Sequence, residues 1–519
     1  MEKRVFYIGC KDFFQIQVAK NLRDNKNWKP VYWTANDQHE VEVTKNFPEI
    51  IFQKNLFAVR GYISEKLKHE FVQFNSKIDL TKLHKIRKIS EYMLNRFNWN
   101  NSFSKEEKKE LINHHLLYSE FLIEKFNPDL VIFQEVPHFV YDYILYEICK
   151  IKKIKTLIFA YTNISGFSFL IDSIWNTSKK LNYFYKKNLE ELKNKDIFLK
   201  NFNKEYLRIK NDIETQPPAE KWVQNKISKN TDTLKIIPKI KKIFLKNIKE
   251  SFLNLSKLFK SNKLTNASNM KIKNKNFKIF PSYLKIFLNI KFSEYKTIKL
   301  HKFYKKISTH KPNLENNYIN FFLHYEPERT ISPQAGLLYN QFELIKYLTK
   351  KIPNGWFLYV KEHRKTFHTH FLMREQYRTK EKYLELLSCK NIIFIDDEYP
   401  SLKLIKNAKA NVTGSGTAGL ESIIHLKPLM TFGYSWLNKF KFCLNIRTKK
   451  NIIKAMRQIE NNEFKFTEND VKIFLKSMED ASYNMYHVSS LMYENNFKSG
   501  EQNKEMIYES ILDYYNNWI

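Results

Sequence analysis

"NIIFIDDEYPSLKLIKNAKANVTGSGTAGLESIIHLKPLMTFG" runs from Asn391 to Gly433. Three short apolar runs, "NIIFID", "KANVTG" and "KPLMTFG", are separated by two segments of helical period, "SLKLIKNA" and "TAGLESIIHL". In the first half of the chain, the strands of residues 128–162 do not alternate apolar with polar residues, as expected of a parallel sheet covered on both faces. Strands alternating with helices over short links predict a parallel, doubly wound sheet. The stretch from Asn391 to Gly433 also holds Gly414, Gly416 and Gly419, from a chain with only 10 glycines in 519 residues.

Working outward, the pattern continues on both sides. Upstream come "NFFLHYEPE" (Asn320 to Glu328, strand then loop), the helix "QAGLLYNQFELIKYLTKKI", the strand "WFLYVKEH" and the helix "EKYLELLSC". The first half of the chain opens with a strand, "RVFYIG", a helix, "FFQIQVAKNL", and a strand, "KPVYWTA". Residues 60–126 read as helical. "PDLVIFQEVPHFVYDYILYEICKIKKIKTLIFAYT" (Pro128 to Thr162) gives strand, loop, helix and strand. The division expected is an α/β domain over 1–215, a basic helical insertion over 216–315, a second α/β domain over 316–466, and a helical tail over 467–519 that packs back on the first domain. Ligands of such sheets lie at the carboxyl ends of the strands.

The chain is long enough for two domains, and 43% hydrophobic with 15% aromatic residues allows large cores. The formal net charge is +34, which calls for an anionic partner. Lys221 to His310 contains 23 Lys, no Arg and three acids (Asp232, Glu250, Glu294), a net of 23 − 3 = +20. Within it, Ile240 to Lys260 has apolar residues at spacings of three and four among lysines, an amphipathic helix suited to an anionic membrane surface. No nucleic-acid-binding motif occurs, so nucleic acid is not expected as a partner. The four cysteines are widely spaced, which argues against a disulfide framework or a zinc site. His368 and His370 have metal-like spacing but no partner ligands, so no metal is expected. The N-terminal apolar run is too short for a signal peptide, and no run reaches the roughly 18 apolar residues of a spanning helix. The expected location is cytoplasmic, peripheral at the inner face of the membrane.

The candidate chemistry sits at strand exits. After the strand at 409–413, Gly414, Ser415, Gly416 and Thr417 lead into a helix; bare amides, two hydroxyls and a helix N-terminus suit a phosphate. No Gly-Lys-Ser/Thr follows, so the turn is not a Walker loop. Glu421 follows on the helix. "YVKEHRK" ends a strand with Lys361 and His363, where a histidine can hold a phosphate or exchange a proton. "LHYEPERTISPQAG" gathers His324, Glu326, Glu328 and Arg329 at another exit, and "FQEVPHFVYD" places Gln134, Glu135 and His138 at an exit of the first half. The general base stays open among Glu326, Glu328, Glu135 and His138.

"LHYEPERTISPQAG", "GWFLYVKEH" and "NVTGSGTAGLESIIHLKPLMTFG", with support from "PDLVIFQEVPHFVYDYILYEI", resemble in order and spacing the bacterial capsular polysaccharide biosynthesis proteins, which include Kdo transferases. The resemblance spans roughly 130–162 and 320–436 and is absent over 60–125 and 215–315. It implies a GT-B fold: two Rossmann-like domains facing a cleft, with the nucleotide-sugar donor held by the second. It also implies a CMP-activated acidic sugar as donor, a lipid-linked or oligosaccharide acceptor, and no cofactor. On the matching positions, His363, Ser415, Gly416 and Thr417 contact the CMP phosphate. Arg364 stands where the family has proline, and Glu326 where it has glutamine. A CDP-polyol phosphotransferase of teichoic-acid type, a nucleotide-sugar epimerase and a non-enzymatic basic membrane-binding protein are the alternatives.

Overall fold

The computed structural model describes residues 2–79, 83–97, 104–211, 283–368, 377–488 and 500–519. Ile240 to Lys260 and His370 lie outside these residues, and the side chain of His368 is not described.

Two sheets organise the chain. In the first, β1 (Lys3–Ile8), β2 (Trp28–Ala35), β3 (Ile51–Lys54), β4 (Leu130–Phe133), β5 (Lys155–Tyr161) and β6 (Ser168–Ile171) lie in the order β3-β2-β1-β4-β5-β6. All neighbours are parallel except β5 and β6. The second contains β7 (Ser308–Thr309), β8 (Tyr318–Phe322), β9 (Phe357–Lys361), β10 (Ile392–Ile395), β11 (Ala410–Thr413), β12 (Leu429–Thr431) and β13 (Cys443–Asn445). Its order is β13-β12-β11-β8-β9-β10-β7, and every pair is parallel. Numbered from β8, six of its strands repeat the order of the first sheet, 3-2-1-4-5-6. That is the Rossmann order, twice over. The architecture is α/β and GT-B-like, two Rossmann-like domains facing a cleft.

The unalternating strands are explained by cover on both faces. Phe6, Ile8, Val131 and Phe133 point to one side, against the helices Lys105–Phe126 and Val140–Ile151. Val5, Tyr7, Leu130 and Ile132 point to the other, against the helix Phe13–Lys26. The last helix, Gly500–Trp518, covers this second face with Ile507, Ile511 and Tyr514, all fully buried. Helix Glu468–Ala481 adds Phe474 and Met478 to the core that holds Leu181 and Tyr185.

Some elements differ from the pattern in the sequence. The helix expected from Gln334 begins at Gln341, because Asn340 accepts the Glu343 amide and caps it there. β3, β6, β7 and β13, of two to four residues, are not marked as strands by the sequence and are placed by pairing with their neighbours. The second lobe also starts before residue 316. Helix Tyr283–Ile307 runs into β7 and buries Tyr304, whose hydroxyl donates to the Ile395 carbonyl at 2.7 Å. Lys305, at the end of the Lys-rich segment, pairs with Asp396 (2.8 Å) and Glu398 (3.0 Å). Among the described residues, no helix is long and apolar enough to cross a membrane.

Candidate active site

In each sheet the strand order reverses beside its central pair, β1 and β4 in the first, β8 and β11 in the second. Ligands of open α/β sheets bind outside the carboxyl ends at such a switch point. The exits of these four strands carry Gly9 to Lys11, Gln134 to His138, His324 to Arg329, and Gly414 to Thr417. Between the two lobes lies a small cleft of about 60 Å³, lined among others by Val136, Tyr161, Arg329, Ser415 and Tyr434.

On the second-lobe side, the glycine turn is built around His324. The ring is buried; its Nε2 accepts the Gly414 N–H at 2.9 Å and meets the Thr413 hydroxyl at 3.0 Å. Accepting there puts the ring proton on Nδ1, which faces a Glu328 oxygen at 3.9 Å. Burial lowers the His324 pKa, with Glu328 opposing and Arg378 assisting. A β-carbon at Gly414 would lie 3.0 Å from Nε2, and one at Gly416 2.9 Å from Cε1, of this ring. A β-carbon at Gly433 would lie 2.6 Å from the Gly414 carbonyl oxygen. Gly416 itself has φ −79°, an ordinary value. The glycines are therefore required by a buried histidine and a close backbone, not by a left-handed turn. Ser415 lines the cleft, and its hydroxyl is buried with no hydrogen-bond partner. Thr417 is exposed as the first residue of the helix Thr417–Ile424, whose first amides have no partner within the helix.

On the first-lobe side, Glu135 accepts from Lys11 Nζ at 2.9 Å and, across the cleft, lies 3.5 Å from Arg329. Burial pushes its carboxyl up, but Lys11, His138 and Arg329 outweigh this and hold it well below the usual carboxylate range. The Arg329 guanidinium lies over the Tyr161 ring at 4.0 Å. His138 donates from Nδ1 to the Val136 carbonyl at 2.8 Å, which leaves Nε2 as the basic nitrogen. Burial, with Arg96 and Arg329, brings the His138 pKa down to about 4 against the pull of Glu135.

Several candidates are occupied elsewhere. The sequence places Glu326 among the catalytic groups; in the fold one of its oxygens takes the Tyr92 hydroxyl and the other Arg378 (2.6 Å) and Gln341 (2.9 Å). Arg378 also binds Glu362 (2.6 Å) and the His324 carbonyl (2.7 Å), so it clamps the exits of β8 and β9. With both oxygens engaged, Glu326 is an anchoring anion and not a free base. Gln134, expected to touch substrate, is a bolt: Oε1 accepts the Lys11 amide (2.7 Å), and Nε2 donates to Asp12 and to the His487 carbonyl (2.9 Å). Lys361 is buried and donates to the Asp397 carbonyl (2.9 Å) rather than lying open for a phosphate. Glu421 lies in the field of Arg208, on a neighbouring helix. His363 sits against the Tyr325 ring (5.2 Å), and its Nδ1 accepts the Lys365 amide at 3.1 Å, which puts its proton on Nε2. Burial and the Lys365, His324, Lys361 and Arg364 charges lower its pKa well below the ordinary value. Glu328 takes the Thr330 hydroxyl at 2.6 Å.

Three residues beside the site carry no motif. Lys11 holds Glu135. His487, from the C-terminal tail, stacks on Phe159 and meets the Tyr161 ring at 4.4 Å; burial pulls its pKa down to about 3. Arg96 lies at the seam of the lobes, its guanidinium 5.5 Å from the Phe139 ring. Only the position of Lys11, just past the first strand, could have drawn attention to it. Among the described residues, no group of three or more His, Cys, Asp or Glu is placed to hold a metal ion.

No protein-family model and no curated protein matches the sequence. Among solved structures, a glycosyltransferase from Rickettsia africae is similar at 11% identity over 99% of this chain and 98% of its own, with a TM-score of 0.25. A UDP-GlcNAc 2-epimerase from Methanocaldococcus jannaschii is similar at 14% identity over 90% and 95%, TM-score 0.24. The KpsC beta Kdo 2,4 transferase of Thermosulfurimonas dismutans is similar at 11% identity over 35% and 54%, TM-score 0.22. The fold assignment rests on the two strand orders themselves.

Proposed function

We propose that the chain is a glycosyltransferase of surface-polysaccharide assembly, moving Kdo or a related CMP-activated acidic sugar onto a lipid-linked or saccharide acceptor. One observation carries the reading: the unpartnered Ser415 hydroxyl lies in the cleft beside a helix N-terminus, and His138, with Nε2 as its basic nitrogen, stands at the exit of β4 on the other lobe. The acceptor hydroxyl approaches from the first lobe. His138 Nε2 takes its proton as the oxygen attacks the anomeric carbon, and the charge of Glu135 stabilises the imidazolium that forms. The bond from the anomeric carbon to the CMP phosphate breaks. Its charge is met by the Ser415 hydroxyl and the amides that open the helix, with His363 contributing as the family resemblance implies. Lys11 and Arg329 keep Glu135 ionised. Contact of Ile240 to Lys260 with an anionic leaflet would bring the cleft to a lipid-linked acceptor.

The test is thermal shift and calorimetry with CMP, CDP and UDP, followed by turnover of CMP-Kdo and of CDP-glycerol with oligosaccharide acceptors. CMP should raise the melting midpoint by mass action, and CMP should be released from CMP-Kdo. Stabilisation by UDP alone, or turnover of CDP-glycerol alone, overturns the donor assignment.

A further inference from the structure

Helix His84–Leu94 ends in a short turn, Asn95–Phe97, that sets Arg96 between the lobes. Arg96 is only 6% exposed, and its Nε and Nη2 are both buried with no hydrogen-bond partner. Buried N–H groups left without an acceptor are unfavourable, so two of them on one guanidinium beside the site call for an explanation. The carboxylates nearby accept from neither of these two groups. Asp142 takes the amides of His138 (3.2 Å) and Tyr143 (2.6 Å), and Glu328 takes the Thr330 hydroxyl. Burial pushes the Asp142 carboxyl up to about 8, so at neutral pH it carries little charge to offer. The Phe139 ring covers one side of the guanidinium, and Tyr377, Asp142, Tyr325 and Glu328 are its electrostatic neighbours.

The two vacant donors have a defined geometry. Nε–H and one Nη2–H lie parallel on the same edge of the guanidinium, the edge that grips the two oxygens of a planar carboxylate. The position also fits the site. His138 feels both Arg96 and Arg329, and Tyr325, in the field of Arg96, touches the ring of His363. Arg96 therefore flanks the groups assigned to the proton and the phosphate.

We infer that Arg96 receives the carboxylate of the transferred sugar through its vacant Nε and Nη2 edge, and so selects an acidic donor. This rests on the donor reading proposed above. A neutral sugar would leave these two N–H groups buried without an acceptor. A carboxylate fills the fork and orients the sugar ring toward His138.

The experiment titrates three ligands by calorimetry without acceptor: CMP, CMP-Kdo, and CMP-Kdo with its C1 carboxylate converted to a carboxamide. The proteins are the wild type, Arg96→Met and Arg96→Lys. The wild type should bind the acid roughly 10- to 100-fold more tightly than the amide. Arg96→Met should abolish that preference, leave CMP affinity unchanged and not lower the melting midpoint, because an apolar chain replaces buried N–H groups that lack an acceptor. Arg96→Lys keeps the charge but loses the fork, and should recover only part of the preference. Equal affinity of the wild type for acid and amide overturns the inference. So does a preference that survives Arg96→Met, or a lowered melting midpoint of that variant. Failure of the wild type to bind CMP is a separate result and removes the donor reading itself.

Discussion

His324 decides more about the glycine turn than the turn's own residues do. Its ring fills the space a side chain at Gly414 or Gly416 would need, and its Nε2 takes the Gly414 amide. Gly416→Ala should therefore cost about 1–3 kcal/mol by overpacking. Combining it with His324→Ala should cost much less than the sum of the two single changes. Urea denaturation of the four proteins of the cycle measures this, and a coupling below about 0.5 kcal/mol would mean the two groups are independent. His138 bears on catalysis. His138→Ala should lower kcat/KM by a factor on the order of 100 or more in a protein that still folds. The base must be neutral, and burial sets its pKa at about 4. Wild-type kcat/KM should thus stay level down to about pH 5 and fall with an apparent pKa near 4, not near the ~6.5 of a free histidine. The same shift links to stability. A folded pKa below the unfolded one favours the neutral ring, so this contribution is present above about pH 6.5 and is lost as pH falls toward 4.

At the scale of elements, the exits of β8 and β9 are tied by one cation. Arg378 lies 2.6 Å from both Glu326 and Glu362, and all three side chains are almost wholly buried. Arg378→Met would leave two buried carboxylates without a counter-ion, and should cost about 3–5 kcal/mol in chemical denaturation. A loss below about 1 kcal/mol would show that the cluster is not an ionised triad. The last helix is equally committed. Ile507, Ile511 and Tyr514 are fully buried against the first sheet, and each large apolar side chain buried is worth about 1.5–3 kcal/mol. A chain ending at residue 499 should be unstable or aggregate, with protection lost in β1 and the helix Phe13–Lys26 by hydrogen exchange. Unaltered protection there would mean the helix merely decorates the lobe. The longer strands and helices were legible because their apolar period is a local property. β6 was not, because "SFLI" follows no helix and owes its place to antiparallel pairing with β5.

For the whole molecule, the lobes are joined by Glu135 with Arg329, by Tyr92 with Glu326, and by Trp175 against Tyr434 at 5.0 Å. The site is thus split between domains whose separation would open it. The segment with a net charge of +20 belongs to this scale too. Deleting residues 240–260 should abolish flotation with vesicles containing anionic lipid and leave turnover with a soluble acceptor intact. Equal binding of the full chain to neutral and anionic vesicles would remove the electrostatic role proposed for it.

By itself the sequence determined the α/β class, the two sheet-forming halves and the strand exits that carry the candidate residues. Apolar period, unalternating strands and glycine placement depend on residues within a few positions of one another. The tertiary structure decided which of those exits meet and what each side chain is free to do. Glu326, Gln134 and Lys361 look like site residues in the chain, but their polar atoms are taken by Arg378, His487 and Asp397. Gln134 and His487 are 353 residues apart, beyond the reach of any local pattern. The unused edge of Arg96 is visible only because burial removes water, the partner every exposed guanidinium has. Occupancy by distant groups and loss of solvent are consequences of packing, and packing is set by the arrangement of the two sheets.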